Sequence, residues 1–295
     1  MISDLVARLT GWLRRLPPPH ERYERLAAAL GEEFAGRTDP VTAAACAEIE
    51  RAAWPSARHL LLHFDPAGTA APDEVAPGWP EPDPAAVGRS AAQVREVSRL
   101  DGGVCLIRVD GFDALRLAQP YLDGAFALAR GATGILLDLR ANGGGFPETV
   151  AHIAGRLLGD PAVHLSDVTY RDSTRQWWTP DLPDGTAVPA GVPVAVLVSG
   201  RTFSSGEALA YHLRARGRVT VVGERTPGAA DHITEVRLAP TVVGQVPIGY
   251  VTDAATGASW EGSGVEPHVE CPAGAAVEAA LATVAAAPSM VARNC

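Results

Sequence analysis

The sequence predicts an α/β fold, because strand-like and helix-like segments alternate from residue 100 onward. The strand-like runs are VCLIRV, GILLDLR, VPVAVLV and RVTVVG, and the helix-like ones are ETVAHIAGRLLG and SGEALAYHLRARG. This alternation is typical of parallel strands joined by helices. With 295 residues and 47% apolar content, the chain can bury a sizeable core. Active sites in such cores gather at the carboxyl ends of the strands.

Three segments are predicted along the chain. Residues 1–64 form a small N-terminal helical domain, whose first helix buries Leu5, Leu9, Trp12, Leu13 and Leu16 at helical spacing. Residues 65–99 begin with a stretch rich in Pro, Ala and acidic side chains, which predicts a linker or wrapping arm. Residues 100–295 form the α/β core, with short strands and turns after residue 231 and an Ala-rich helix near 273–287.

Composition excludes several classes of function. Acidic side chains outnumber basic ones 34 to 25, the net charge is −9 and there is no lysine, which argues against nucleic acid or an anionic membrane as partner. The longest apolar runs are far shorter than the roughly 20 residues of a membrane span, and the charged N-terminus has no signal-peptide cleavage site. Cysteines 46, 105, 271 and 295 have neither metal-ligand nor disulfide-framework spacing. We therefore expect a cytoplasmic protein with free thiols and neither metal nor cofactor.

Candidate catalytic residues lie at the ends of two predicted strands. VLVSGRTFSSGE places two serines at a strand-to-helix turn, where Ser204 and Glu207 have the spacing of a capping box. Ser204 is therefore either a helix cap or a nucleophile. GILLDLRANGGG ends in Gly143, Gly144 and Gly145, which fit an oxyanion site, a tight turn or a phosphate loop. Neither common phosphate-loop motif occurs.

Four segments, in order, resemble the tail-specific or C-terminal processing serine peptidases. The resemblance is closer to the branch that contains the tricorn core protease and the interphotoreceptor retinoid-binding protein repeats. It covers roughly residues 45–285, and the segments are SARHLLLHF, DLRANGGG, RTFSSGEALAYHLRARGRVTVVGERTPG and WEGSGVEPHVECP.

The resemblance implies a ClpP/crotonase-like core of repeated β-β-α units. It also implies Ser204, rather than Ser205, as the nucleophile. For the resulting acyl chemistry we expect the N–H groups of Ser205 and Gly144 to form the oxyanion hole. Family members with a PDZ module carry it after the histidine segment, and the linker is too short to hold one, so no PDZ module is expected.

The general base is expected to be a histidine. Processing peptidases of the first branch use a lysine about 25 residues after the serine, where this chain has Ala229. Histidine is the remaining side chain that is poised near neutral pH. The tricorn-like branch implies His59 as base and Glu261 as its orienting carboxylate. His232 is the rival base, whereas His212 lies too far along the helix.

Each of these residues also has a plainer interpretation. His59 could be a hydrogen-bonded core histidine, and Glu261 an ordinary turn carboxylate. Arg58 stands where the tricorn pattern has a serine, so a relay that needs this serine is in question. In STRQWWTPDLP, Arg175, Trp177 and Trp178 either line a substrate groove or simply pack.

The function that follows is a serine peptidase or hydrolase acting on a peptide or small acyl substrate, with a homo-oligomer possible. One alternative is a weakly catalytic or non-catalytic binding protein for an apolar ligand on the same fold. A further alternative is an acyl transferase or cyclase in a small-molecule pathway.

Overall fold

The computed structural model describes residues 1–68, 81–159 and 162–286. In these ranges the helices are α1 (Ile2–Arg15), α2 (Glu21–Glu33), α3 (Ala43–Ala53), α4 (Pro84–Arg89), α5 (Leu115–Leu128), α6 (Pro147–Leu158), α7 (Ser205–Ala215) and α8 (Ala276–Ala286). The strands are β1 (Leu61–Phe64), β2 (Val94–Arg99), β3 (Cys105–Val109), β4 (Ile135–Asp138), β5 (His164–Tyr170), β6 (Thr174–Trp178), β7 (Val194–Val198), β8 (Thr220–Gly223), β9 (His232–Ala239), β10 (Val242–Asp253) and β11 (Val269–Glu270). Over the described part of the chain, no helix has both the length and the apolar character needed to cross a bilayer.

The larger sheet has six strands in the order β11-β8-β7-β4-β3-β2. Its strands β3, β4, β7, β8 and β11 run parallel, and β2 pairs antiparallel with β3 at one edge. The four apolar runs that predicted parallel strands form β3, β4, β7 and β8, so the predicted α/β class is confirmed. β4 and β7 are buried along their whole length, as expected for parallel strands covered on both faces.

The smaller sheet has five strands, in which β1-β10-β5-β6 are neighbours in that order and β9 also pairs with β10. β10 runs for 12 residues and pairs antiparallel with both β1 and β9. The sequence predicted only short strands and turns in this region, whereas β10 continues through Gly244, Pro247 and Gly249. A register shift between Pro247 and Gly249 accommodates these residues within one strand.

Contacts divide the chain into two compact units, neither of which is continuous in sequence. The first unit comprises Met1–Glu81, Asp167–Arg175 and Ala229–Thr252. Its apolar core joins α1, α2 and α3 to β1, β9 and β10. The N-terminal helices therefore share one core with late strands, whereas the sequence pattern placed residues 1–64 in a helical domain by themselves.

Helix α1 packs into this core along the predicted face. Leu5, Leu9 and Leu13, each four residues after the last, are buried, and Trp12 and Leu16 are partly buried against the same cluster. Side chains four apart lie on one face of a helix, so this spacing produces a single apolar stripe. The prediction of a core-facing helix is confirmed.

The second unit comprises Pro82–Ser166, Gln176–Gly228 and Asp253–Cys295. Here α5, α6 and α7 cover one face of the larger sheet and α8 covers the other. The Ala-rich helix predicted near residue 273 is α8. Helix α6 starts with Pro147 in its first turn and ends at Gly159, whose φ of 73° terminates the helix in the left-handed conformation.

The predicted linker over residues 65–99 is partly structured. Residues 69–80 lie outside the described ranges. Beyond them, Asp83 caps α4 by accepting a hydrogen bond from the Ala85 N–H, and β2 adds an edge strand to the larger sheet. Residues 94–99 of the predicted linker or wrapping arm thus form a strand whose backbone pairs with β3.

Candidate active site

Ser204 occupies the turn between β7 and α7, at the carboxyl edge of the parallel sheet. Helix α7 begins at Ser205, and Ser204 is its N-cap residue, with φ 54° and ψ −123°. An L-residue rarely adopts a positive φ, and holding one there costs on the order of 1–3 kcal/mol. An ordinary N-cap residue lies in the β region instead. The Ser204 backbone is thus strained. The sequence had left Ser204 as either a helix cap or a nucleophile, and an ordinary cap would not show this strain.

Gly144, in the loop after β4, faces Ser204. A Cβ atom built on Gly144 would lie 2.6 Å from the Ser204 Cβ and 3.1 Å from the Ser204 Oγ. Gly144 itself has a φ of 100°. Only glycine fits this position, because a larger residue would collide with the Ser204 side chain. The two sequence motifs at the strand ends therefore meet at one place.

The N–H of Gly144 is already used within this loop. It donates to the Asn142 Oδ1 at 2.9 Å, and the Asn142 side chain is held in turn by a bond from its Nδ2 to the Val109 carbonyl at 3.0 Å. An amide has a single hydrogen, so the expectation that the Gly144 N–H lines an oxyanion hole is not confirmed. Gly144 provides space beside Ser204 rather than a free donor.

Two other backbone N–H groups lie in these two turns, those of Gly145 and Ser205. In the described part of the chain, no acceptor is recorded for the N–H of Gly145 or for that of Ser205. The Ser205 hydroxyl donates to the Gly145 carbonyl at 2.7 Å. This bond ties the start of α7 to the glycine loop and occupies the hydroxyl hydrogen of Ser205, whereas Ser204 carries the strained backbone.

The carboxylate of Glu207 stabilises the turn by accepting hydrogen bonds. Glu207 is completely buried, and its Oε2 accepts a hydrogen bond from the Ser204 N–H at 2.9 Å, so the predicted capping-box pair is present. Its Oε1 accepts from the Thr226 hydroxyl and from the Gly228 N–H, each at 2.6 Å. A buried carboxylate needs such partners to offset its lost hydration. The capping-box spacing indicated only the first of these bonds.

Glu261 lies in the second unit, in a turn after the buried Trp260, and is half-buried. Its N–H donates to the Ser259 Oγ at 3.3 Å. The next residue, Gly262, donates its N–H to the Gly228 carbonyl at 2.7 Å. Because the Gly228 N–H donates to the Glu207 carboxylate, two successive hydrogen bonds connect the turn around Glu261 to the helix that starts beside Ser204.

His59 lies in the first unit, between α3 and β1, and only 3% of its surface is exposed. Burial is the main cause that lowers the pKa of His59 to about 3, and the neighbouring His232 lowers it further, while a hydrogen bond with the Asp231 backbone opposes the shift. The imidazole is therefore neutral at physiological pH. A neutral imidazole is the form that can accept a proton.

The two other candidate histidines have partners of their own. His232, also in the first unit, has its Nδ1 2.8 Å from the Tyr170 hydroxyl, and burial, followed by Arg175, lowers its pKa to about 4. His212, on α7 in the second unit, bonds through Nδ1 to the Asp253 carboxylate at 2.7 Å. The exposed His63 lies on β1.

The three groove candidates differ in exposure. Trp177 is partly buried against the core of the second unit. Trp178 is 45% exposed and stacks on the His164 ring at 4.5 Å. Arg175, at the end of its segment of the first unit, is exposed. Packing thus accounts for Trp177, and Trp178 is the exposed aromatic of the pair. In the ranges the structure covers, no three His, Cys, Asp or Glu side chains come together as a metal site.

The fold and this edge of the sheet define an α/β protein in which a serine turn and a glycine loop converge. Residues 103–271, more than half of the chain, match the family model for peptidase family S41. The chain belongs to this family, and the resemblance to C-terminal processing peptidases is confirmed.

Two proteins with similar sequences are named as C-terminal processing peptidases. The chloroplastic C-terminal processing peptidase of Tetradesmus obliquus is 33% identical over 101 residues, which are 34% of this chain and 20% of that protein. The carboxyl-terminal-processing protease of Synechocystis sp. is 34% identical over 142 residues, which are 47% of this chain and 31% of that protein. The chain thus spans less than a third of the length of these relatives. A lipoprotein from Streptococcus agalactiae has a similar fold over 97% of both chains, with a TM-score of 0.61 and 15% identity.

Proposed function

We propose that the chain is a serine peptidase in which the Ser204 hydroxyl attacks the carbonyl carbon of a peptide or related acyl substrate. The observation that carries this proposal is the strained Ser204 backbone at the start of α7, placed against a glycine that no larger residue can replace. A serine that only caps a helix has no need of this conformation. Family membership and the parallel sheet, which fits the expected ClpP/crotonase-like core, support the same conclusion.

In the proposed reaction, the Oγ–C bond forms while His59 takes the hydroxyl proton. The C–N bond of the tetrahedral intermediate then breaks, and the leaving amine receives that proton. Water attacks the acyl-enzyme by the same route, which releases a carboxylic acid and restores Ser204.

His59 is proposed as the base because it matches the histidine position of the tricorn-like branch and because the chain has no lysine. The buried Ala229 occupies the position where the other branch has its lysine. A pKa of about 3 keeps the ring neutral but makes it a weak base, so the proposal rests on the match to the histidine position and not on the pKa. Glu261 is proposed to orient the ring.

The oxyanion of the tetrahedral intermediate is proposed to bind the N–H groups of Ser205 and Gly145. Ser205 is the first residue of α7, where the helix dipole favours negative charge. Gly145 replaces Gly144 in this role because Asn142 already accepts the Gly144 N–H. Two backbone donors in this arrangement typically contribute a factor of about 10²–10³ each to the rate.

A fluorophosphonate probe tests the proposal on the full chain, because an activated serine displaces its fluoride and becomes phosphonylated. Mass spectrometry is expected to find the adduct on the peptide that contains Ser204. Ser204→Ala should abolish the adduct, whereas Ser205→Ala, the matched control one residue along, should retain most of it. Absence of any adduct on the folded protein would favour the alternative of a binding protein for an apolar ligand. Adduct formation without hydrolysis of peptide substrates would favour acyl transfer or cyclisation.

A further inference from the structure

Trp260, directly before Glu261, is packed against the helix that begins beside Ser204. Only 1% of Trp260 is exposed. The centroid of its ring system lies 4.9 Å from the Tyr211 ring and 5.6 Å from the His212 ring, which meets it at 90°. Aromatic pairs at these separations attract each other beyond their shared burial. Trp260 therefore anchors the turn of Glu261 to the second half of α7.

The His212 ring, against which Trp260 packs, is held in place by a hydrogen bond. Its Nδ1 bonds to the Asp253 Oδ2 at 2.7 Å, and the Arg216 Nη1 donates to the same oxygen at 2.9 Å. Asp253 is completely buried, and its other oxygen accepts the N–H groups of Ala255 and Thr256 at 2.9 and 3.0 Å. The same carboxylate thus orients the ring on α7 and shapes the turn that leads into Trp260.

A second anchor holds the other side of Glu261. The Gly262 N–H bonds to the Gly228 carbonyl at 2.7 Å, and the Gly228 N–H bonds to Glu207, which also accepts the Ser204 N–H. A Cβ on Gly228 would lie 2.9 Å from the Gly262 nitrogen, so this approach requires glycine. Glu207 and His212 are five residues apart, about 7.5 Å along the helix at 1.5 Å per residue.

We infer that Trp260 and His212 are positioning residues, which fix the carboxylate of Glu261 relative to Ser204 by joining its turn to the helix that Ser204 caps. The inference rests on the proposed function of Glu261. With both neighbours of Glu261 attached to one rigid helix, the carboxylate and the nucleophile keep a constant separation. Catalysis depends on such placement, and a misplacement of about 1 Å can lower a rate by about 100-fold.

Trp260→Leu removes the aromatic contacts, and Trp260→Phe keeps a ring against His212. We expect Trp260→Leu to lower kcat by about 10- to 100-fold with KM within about threefold, and Trp260→Phe to recover at least half of that loss on a logarithmic scale. Leu122→Ala, a buried substitution on α5 in the same unit, is the matched control and should lower the melting temperature while leaving kcat of the folded protein within about twofold.

A double-mutant cycle with Glu261→Gln distinguishes positioning from general damage. The rate of fluorophosphonate labelling should fall about 10- to 100-fold on Trp260→Leu in the wild-type background, but less than about twofold in the Glu261→Gln background. Equal losses in both backgrounds would overturn the inference, as would a Trp260→Phe variant no better than Trp260→Leu.

Amide hydrogen exchange gives a measure that does not need activity. Trp260→Leu should speed exchange of residues 259–264 by at least about tenfold while leaving α6 unchanged, because one of the two anchors is lost. Unchanged exchange in 259–264 would overturn the anchoring itself. Failure of Ser204 to label at all would instead overturn the proposed function, whatever the exchange result.

Discussion

The backbone N–H of Ser204 donates to the buried carboxylate of Glu207 at 2.9 Å, so the strained residue and the residue that holds it lie in the same helical turn. The same carboxylate accepts hydrogen bonds from Thr226 and Gly228. Strain persists only where the surroundings enforce it. Glu207 therefore stabilises a conformation of Ser204 that the serine would not adopt alone.

Glu207→Gln is expected to destabilise the protein by about 1–3 kcal/mol, because the amide replaces one acceptor oxygen with an N–H₂ donor among groups that also donate. Chemical denaturation measures the change. Glu148→Gln, a partly exposed carboxylate in the first turn of α6, is the matched control and should cost under about 0.5 kcal/mol. Equal effects of the two substitutions would contradict this role for Glu207.

Gly144→Ala is expected to abolish fluorophosphonate labelling, since its Cβ would lie 2.6 Å from that of Ser204 and its φ of 100° disfavours alanine. Gly143→Ala, one residue earlier, is the control: a Cβ there would meet nothing within 4 Å. Its labelling rate should stay within about threefold of wild type. A Gly144→Ala protein that labels normally would show that the loop does not restrict Ser204.

His59→Ala is expected to slow labelling by at least about 100-fold, the range that general base catalysis typically contributes. His232→Ala keeps His59 and should remain within about fivefold of wild type. Rates of probe incorporation, followed over time, separate the two variants. Full activity in His59→Ala, or loss only in His232→Ala, would transfer the role of base to His232.

The free energy of unfolding should decrease as the pH is lowered below 6.5. The pKa of His59 is about 3 when folded, against 6.5 as its ordinary value, so between these values the unfolded chain binds more protons. Unfolding free energy therefore rises with pH in this window, by about 1.4 kcal/mol per unit for each such proton. Denaturation at pH 4, 5 and 6 measures the slope. His59→Asn should reduce the slope by the contribution of about one proton, and an unchanged slope in this variant would show that His59 is not responsible for it.

Trp178→Ala tests whether the exposed aromatic contacts substrate. If it does, KM should rise about 5- to 50-fold while kcat and the melting temperature stay nearly constant, because the ring that is lost is 45% exposed. Trp177→Ala is the contrasting variant and should mainly lower the melting temperature, since that ring packs on the core. An unchanged KM in Trp178→Ala would leave its stacking on His164 as a purely structural contact.

The sequence predicted well those features that depend on neighbours along the chain. Continuous apolar runs identified β3, β4, β7 and β8, and the spacing of Ser204 and Glu207 identified the start of α7. Burial on both faces of a parallel sheet produces such runs directly, which is why they can be read without an alignment.

Contacts between distant residues could not be predicted in this way. Neither Thr226 nor Gly228 carries a pattern that indicates a bond to Glu207. The hydrogen bond from the Gly144 N–H to Asn142 could have been predicted from the local sequence, because asparagine side chains often accept the N–H two residues later. That pattern would have indicated that the Gly144 N–H is engaged within its own loop.

The antiparallel pairing of β1 with β10 has a consequence for biosynthesis. Leu61 lies opposite Gln245, so the two are separated by 184 positions (245 minus 61). At about 5–20 residues per second, a ribosome needs about 10–40 s to synthesise the intervening chain. During that time α1, α2 and α3 emerge without the late strands that complete their apolar core. Chaperones that shield exposed apolar surface should therefore bind the nascent chain until β10 has left the ribosome.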